Sequence, residues 1–300
     1  MNGSVVPVEE AEAFLRARYG RVDDVARLGG GDWSQAFGFS AGGQELVARF
    51  GLWREDFEKD DAAMAFGGPD LPVPRLLEIG DAFDGAYAIS ERHHGTFLEE
   101  LDATGFERVL PAVLRGLDAM RAVPTAPDAR PEPWAEWLLD LLVDRPGDRV
   151  SGWRWQLAAM PELDRLFEAG RAALAEVLPA CPDLQHVLHL DLLNRNVLVD
   201  ADRARLEAVF DWGCLSYGDF LYEVAWFTFW TPWHAGLRAL DVRRAVLDHH
   251  AAIGLEVPDF DARLRCYELH IGLMHLAYNA FAPGRAAELE ATAVRLDALL

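Results

Sequence analysis

Basic residues are scarce in this chain. Lys and Arg number 28 against 49 Asp and Glu, a formal net charge of −21. Nucleic-acid binding needs basic patches that neutralise phosphates, so this balance argues against it. Cysteine is scarcer still. Cys181, Cys214 and Cys266 stand far apart, and their odd count and wide spacing argue against both a disulfide framework and a cysteine metal site. Long apolar runs are also missing. The longest, around Val224 to Trp233, is too short and too aromatic to span a bilayer. The opening residues, MNGSVVPVEEAEAF, carry no basic segment followed by an apolar one, so no signal peptide is expected. No repeat, low-complexity segment or long linker appears. These absences predict a soluble, cytoplasmic protein with neither a membrane nor a nucleic-acid partner.

What is present suits a sizeable core. Of 300 residues, 51% are hydrophobic, and that length predicts one large domain or two lobes. The acidic excess keeps such a protein soluble and would attract a cationic ligand.

Val8 to Tyr19 reads as an amphipathic helix with Ala11, Phe14 and Leu15 on one face. Then the period shortens. Gly42-Gly43 is a hairpin signal between Phe37-Gly38-Phe39 and Leu46-Val47-Ala48. REDFEKDDAAMAF returns to helical spacing, and two further strands flank an Asp84-Gly85 turn. Residues 20–92 thus predict a small antiparallel sheet carrying one helix. Beyond Phe97 the pattern is mostly helical, over about 105–122, 132–143, 161–178, 219–230, 241–252 and 260–281. Short strands are expected at 186–189, 197–199 and 207–210. The lobe boundary falls near Glu91 to Gly95, giving lobes of residues 1–92 and 93–300.

The stretch HVLHLDLLNRNVLVDADRARLEAVFDWG carries the chemistry. Asp191 follows a strand-like run, Asn196 comes five residues later, and Asp211 closes the next hairpin. Asn and Asp at neighbouring strand ends can share Mg²⁺, an ion that takes hard oxygen ligands and divides them with phosphates. Asp191 is left to orient or deprotonate a hydroxyl.

His189-Leu190-Asp191 with Asn196 resembles the catalytic loop H-x-D-x-x-x-x-N of eukaryotic-like kinases. FDWG resembles their metal-binding Asp-Phe-Gly. The Asp-Trp-Gly form followed by GDFLYEVAWF is similar to the aminoglycoside phosphotransferase family. SQAFGF, AISER, YGDFLYEVA and FWTPW look most like its hygromycin B phosphotransferase branch. The resemblance covers about residues 25–285. It implies an α+β, two-lobed protein-kinase-like fold, with a small antiparallel-sheet N-terminal lobe and a mostly helical C-terminal lobe. It also implies transfer of the γ-phosphoryl group of ATP, with Mg²⁺, to a hydroxyl of an antibiotic, with GTP as donor left open. The acceptor it points to is a hygromycin-like aminoglycoside. A nucleoside antibiotic or a small metabolite remains an alternative acceptor, and a non-catalytic kinase-like binding module is the remaining reading. Oligomeric state is left open, with a monomer the simpler expectation.

The same resemblance assigns roles. Asp191 is the catalytic carboxylate, Asn196 and Asp211 hold the metal, and His189 braces the loop. Two departures stand out. Position 190 is usually small in the family and is Leu here, and the strand residue that is often Lys is Arg49 in LVARF. Arg keeps the charge but presents a fork rather than a point. Asp60 or Asp61 would pair with Arg49, and Lys59 would offer a second phosphate contact. Gly29-Gly30-Gly31 with Ser34 reads as a flexible hairpin or as a loop over the ATP phosphates. It is not a G-x-x-x-x-G-K-[ST] loop. In the hinge AISERHHG, adenine would meet the Ser90 carbonyl and the Arg92 N–H. Adjacent His93 and His94 rarely converge on one metal. Asp219 would cap the helix carrying Glu223 and Trp226 and tie it to the catalytic loop. Trp230 and Trp233, joined by Tyr278 and Asn279, would wall the acceptor pocket, against core packing as the plainer reading.

Overall fold

The structure, a computed structural model, describes residues 6–126 and 128–300. Helix α1 (Val8–Tyr19) precedes strands β1 (Asp23–Gly30), β2 (Ser34–Ala41) and β3 (Gln44–Gly51). Helix α2 (Arg54–Ala63) leads to β4 (Leu76–Ala82), β5 (Gly85–Glu91) and the short β6 (Thr96–Phe97). Four helices follow: α3 (Ala103–Ala122), α4 (Trp134–Asp140), α5 (Trp153–Ala158) and α6 (Pro161–Val177). Next come β7 (His186–Leu188), β8 (Val197–Asp200), β9 (Arg205–Val209) and β10 (Ser216–Gly218). The remaining helices are α7 (Leu221–Trp230), α8 (Ala235–Arg238), α9 (Val242–Ala252), α10 (Phe260–Phe281) and α11 (Ala286–Asp297). Helices α5, α8 and α11 lie outside those expected from the sequence. Among the described residues, no helix is long and apolar enough to cross a membrane.

Two compact units are formed, and neither is one continuous segment. The first takes the chain up to Leu101, Arg108–Ala119 and Asn194–Leu215, while the second takes Asp102–Glu107, Met120–Leu193 and Ser216–Leu300. The expected lobes were continuous and met at residues 92 and 93. Strands β8 and β9 instead belong with the first unit because they extend β6 into a three-stranded sheet. The Val209 N–H also donates to Pro72 O at 2.7 Å.

In the first unit, five antiparallel strands run in the order β1-β2-β3-β5-β4. The period-2 alternation of strands sorts their side chains. Phe37, Phe39, Leu46, Ala48, Phe50, Tyr87 and Ile89 face Ala11 and Leu15 of α1. Ala86, Ala88 and Leu76 pack with Phe57 of α2 on the other side. Arg49, between Ala48 and Phe50, therefore points toward α2.

The hairpin at Gly42 (φ +59°) and Gly43 (φ +82°) is the expected two-residue turn with both centres left-handed. The β4–β5 turn differs from expectation. Its left-handed centres are Phe83 (φ 52°) and Asp84 (φ 61°), and Gly85 already belongs to β5. Close approach, not turn geometry, explains Gly85. A Cβ there would stand 2.3 Å from Gly51 O and 2.9 Å from Leu52 Cα. Gly85→Ala is expected to destabilise the protein by about 1–3 kcal/mol, since backbone cannot yield as a side chain does. Chemical denaturation measures this, and an unchanged midpoint would show that the strands separate without cost.

In the second unit α10 is buried on nearly every side, through Leu264, Tyr267, Ile271, Leu273 and Leu276 among others. Burial runs unbroken from Leu269 to Leu273, which places the helix in the interior of the unit, and α5, α6, α7 and α11 pack around it. Strands β7 and β10 pair antiparallel, with Leu188 opposite Ser216.

Candidate active site

Arg49 organises the candidate residues of the first unit. Its side chain is only 12% exposed. Nη2 is hydrogen-bonded to Asp60, and Nη1 lies 3.1 Å from Asp211 Oδ1. The second Asp60 oxygen accepts the Trp212 N–H at 2.7 Å. One buried carboxylate thus links β3, α2 and the backbone just after Asp211. Burial works against the charge on Arg49, but Asp60 and Asp211 outweigh it and its pKa rises. Burial pushes the Asp60 carboxyl up, while Arg49 and the Trp212 N–H pull it back. The sequence left Asp60 and Asp61 as equal candidates, and the partner is Asp60. Lys59 is the only lysine in the chain. It donates to Gly213 O at 2.9 Å, so it also fastens α2 to the Asp211 turn.

Asp211 adopts a left-handed backbone (φ 62°, ψ 59°), which Asp tolerates better than most residues. Its side chain stays 40% exposed. Asn196 is buried, and its carbonyl accepts the Phe210 N–H at 3.0 Å, so the ends of β8 and β9 are locked together. The loop before Asn196 is also tied down, since Glu99 Oε1 accepts the Arg195 N–H at 2.6 Å. Among the described residues, no group of three or more His, Cys, Asp and Glu could hold a metal by itself. One carboxylate and one amide form an incomplete set of hard oxygen donors. That set fits Mg²⁺ with its shell completed by phosphate oxygens and water, and would not suit a softer metal.

Gly29 and Gly30 lie in β1, and the turn to β2 closes with Gly31 N–H donating to Ser34 O at 3.0 Å. Ser34 is half-buried at the start of β2, opposite Gly51 of β3. Ser90 pairs with Val47 across β5 and β3. The expected use of the Arg92 N–H is corrected by the fold. It donates to Glu45 O at 3.1 Å, so this donor is committed to protein backbone.

In the second unit, β7 ends at Leu188 and the chain turns through His189, Leu190 and Asp191. His189 is fully buried and its Nδ1 accepts the Asp191 N–H at 3.2 Å, the bracing contact expected of it. Leu190 sits at φ 66°, a conformation leucine rarely adopts. Asp219 does not make the tie to this loop that the sequence suggested. It accepts from Arg263 Nε at 2.9 Å, Arg263 Nη2 at 2.6 Å and Tyr267 OH at 2.5 Å. It also accepts the Leu221 N–H at 3.2 Å, so it fixes the start of α7 to α10. The residue that reaches the loop is Glu223, one turn further along α7. Its Oε1 accepts the N–H groups of His189 at 2.6 Å and Leu190 at 2.8 Å. The only sequence signal for it was an acidic residue inside an otherwise apolar helix.

The aromatic residues form a connected cluster. Trp230 lies edge-on to Trp226 (6.0 Å), Trp233 (5.1 Å) and His275 (4.6 Å). Trp233 stacks on Phe229 and keeps 38% of its surface exposed. Tyr278 is half-buried beneath the Arg285 guanidinium. Asn279, grouped with it from sequence, is buried and donates to Thr292 Oγ1 of α11 at 3.1 Å. It is a packing residue between two helices, on the side of α10 turned away from solvent.

A sequence model described as the phosphotransferase enzyme family matches residues 26–256. The hygromycin-B 4-O-kinase of Escherichia coli is 30% identical over 304 residues, spanning 96% of this chain and 84% of that kinase. A thermostable mutant of aminoglycoside phosphotransferase APH(4)-Ia was solved in ternary complex with AMP-PNP and hygromycin B. It is similar at a TM-score of 0.80 and 29% identity, over 96% of this chain and 97% of its own. Spectinomycin phosphotransferase APH(9)-Ia, at 10% identity, shares the fold with a TM-score of 0.65 over 97% and 93% of the two chains. The matched segment holds the Arg49–Asp60–Asp211 cluster as well as the Asp191 loop, and this chain belongs to the phosphotransferase enzyme family, with the kinase-like fold of its aminoglycoside-modifying members.

Proposed function

We propose that this chain is an ATP- and Mg²⁺-dependent O-phosphotransferase acting on a hydroxyl of a hygromycin-like aminoglycoside, and that it confers resistance by doing so. The observation that carries the reading is the retention of Asp191, Asn196 and Asp211, in order and spacing, in a chain 30% identical to a hygromycin B kinase. Asp191 orients the attacking hydroxyl and takes its proton late in transfer. Asn196 and Asp211 would hold Mg²⁺, which supplies charge neutralisation on the phosphates. Arg49 serves the same end, held in place by Asp60, and the Ser34 turn covers the phosphates. Positioning and charge neutralisation do most of the work in this chemistry. With the Arg92 N–H committed to Glu45, the Ser90 carbonyl stays the proposed adenine contact only as a second bond beside its ladder pairing with Val47, and GTP as donor remains open. The first unit, strands β8 and β9 included, acts as the nucleotide lobe and the second as the catalytic and acceptor lobe. A cytoplasmic monomer fits the ATP requirement and three free cysteines.

Acceptor-dependent ADP release with hygromycin B, followed by NMR of the product, tests the reading. Turnover of a nucleoside with none of hygromycin-like compounds would move the acceptor and leave the kinase chemistry standing. Trp230, Trp233 and Tyr278 form the proposed acceptor wall. Trp233→Ala is expected to raise KM several-fold while lowering kcat less, because stacking binds ground and transition states alike. For a cationic acceptor, kcat/KM should also fall as salt rises from about 0.05 to 0.3 M, since screening shortens the reach of the acidic surface to about 8–10 Å or less. A salt-independent kcat/KM would favour a neutral acceptor.

A further inference from the structure

Arg195, the residue before Asn196, has a left-handed backbone (φ 61°). An L-residue populates that region about five- to thirtyfold less than the ordinary helical one, so its surroundings must hold it there. Beyond Asn196 the sheet does the holding. Val197 pairs with Val209, Leu198 with Phe97 and Val199 with Thr96, and the Asn196 carbonyl accepts the Phe210 N–H. Before Asn196 the ladder has ended. The Arg195 N–H goes instead to Glu99 Oε1 at 2.6 Å.

Glu99 lies in the 3-10 turn Leu98–Glu100, directly after β6. Residues 96–100 therefore grip the chain on both sides of Asn196. The Arg195 side chain meets the same segment. Its guanidinium lies 4.0 Å over the Phe97 ring, and Nη1 stands 2.8 Å from Glu100 Oε1. That ion pair is exposed, 58% for Arg195 and 47% for Glu100, and such pairs contribute little. A hydrogen bond to a carboxylate is roughly twice as strong as one between neutral groups, so Glu99 is the stronger tie. Its Oε2 is buried with no hydrogen-bond partner among the described residues, so the carboxylate acts through Oε1.

We propose that Glu99 is a positioning residue for the metal: by holding Arg195 left-handed it fixes how the chain enters β8, and so the direction of the Asn196 side chain. This role presupposes that Asn196 holds Mg²⁺, as proposed above. Without the Glu99 bond, Arg195 relaxes toward ordinary backbone. Strand β8 is paired on both edges, with β6 and β9, and cannot follow. The change then falls on Asn196.

Calorimetry of ATP binding against Mg²⁺ concentration tests this with the wild type, Glu99→Ala, Glu99→Gln, Arg195→Gly and the double variant Glu99→Ala/Arg195→Gly. Glu99→Ala should raise the Mg²⁺ concentration for half-maximal binding about fivefold or more. ATP binding without Mg²⁺ should change less than about twofold. Glu99→Gln keeps a neutral acceptor and should stay within about threefold of wild type. Glycine adopts positive φ unaided, so adding Glu99→Ala to Arg195→Gly should shift the Mg²⁺ requirement by less than about twofold. Three results would each overturn the proposal. They are an unchanged Mg²⁺ requirement in Glu99→Ala, an equal loss with and without Mg²⁺, and an equal loss in both Arg195 backgrounds.

Metal-free protein gives a separate reading. The Cα and Cβ chemical shifts of Arg195 should report left-handed backbone in the wild type and move toward ordinary values in Glu99→Ala. Shifts that stay put overturn the proposal. If Glu99→Ala does not fold, amide exchange in the wild type decides. The Arg195 N–H should exchange at least about tenfold slower than an unprotected amide, and exchange at the unprotected rate overturns the proposal. The phosphotransferase reading fails separately, if wild type releases no acceptor-dependent ADP. The metal-free shifts then still decide whether Glu99 holds Arg195.

Discussion

Asp191→Asn is expected to lower kcat by about 10²–10⁴ while leaving the fold and the affinity for Mg-ATP close to wild type. Asn has the shape of Asp and still accepts a hydrogen bond from a hydroxyl, so orientation largely survives. It cannot take the proton that the acceptor must lose. The local backbone should persist, because the Asp191 N–H reaches His189 Nδ1 through the main chain, which the substitution leaves alone. The side chain is also half-buried, so no deep cavity or isolated charge is created. Single-turnover transfer to hygromycin B, with calorimetry of Mg-ATP binding alongside, separates lost chemistry from lost binding. A variant that keeps more than about a tenth of wild-type kcat would remove Asp191 from the role of proton acceptor.

Asp211→Ala should weaken Mg²⁺-dependent nucleotide binding by more than about tenfold, or about 1.4 kcal/mol. The proposed metal donors are one carboxylate and one neutral amide, and the substitution deletes the only charge. Arg49 would keep Asp60, so the guanidinium stays neutralised and the fold should hold. Two smaller effects accompany the loss. Alanine at φ 62° costs about 1 kcal/mol more than Asp, and Arg49 gains freedom to move. Asp211→Asn is the informative control. It tolerates the left-handed backbone and keeps an oxygen donor, so any difference from Ala isolates geometry from charge. Calorimetry with ATP at several Mg²⁺ concentrations is the measurement. Wild-type affinity with unchanged Mg²⁺ dependence would take Asp211 out of the metal set. Chelation of Mg²⁺ should abolish transfer by the wild type as well.

The chain makes legible those features whose physics is local. The helix at Val8 to Tyr19 and the Gly42-Gly43 turn follow from spacing and from glycine's freedom at positive φ. The turn expected at Asp84-Gly85 lies one residue earlier, because Gly85 serves the close contact with Gly51 across the sheet and not its own backbone angle. Helix α11 leaves little trace in the sequence, since Ala286–Asp297 buries only Thr292 and Leu296 among its described side chains, too narrow a stripe to show as a clear period. Asn279 looked like a pocket residue until α11 supplied its partner, Thr292.

By itself the sequence determined which groups are proposed to carry the chemistry. Asp191, Asn196 and Asp211 are recognisable because their order, their spacing and the short strands between them are properties of one continuous stretch. Alternation along β3 likewise set Arg49 on the opposite face from Ala48 and Phe50. Only the tertiary structure decided the partners. Asp60 and not Asp61 meets Arg49, the Arg92 N–H is spent on Glu45, and Glu223, 34 residues from His189, anchors the turn before Asp191. Each choice depends on which side chains two distant segments bring within about 3 Å of each other, and hydrogen bonds of that kind are decided by geometry at short range that no local pattern encodes.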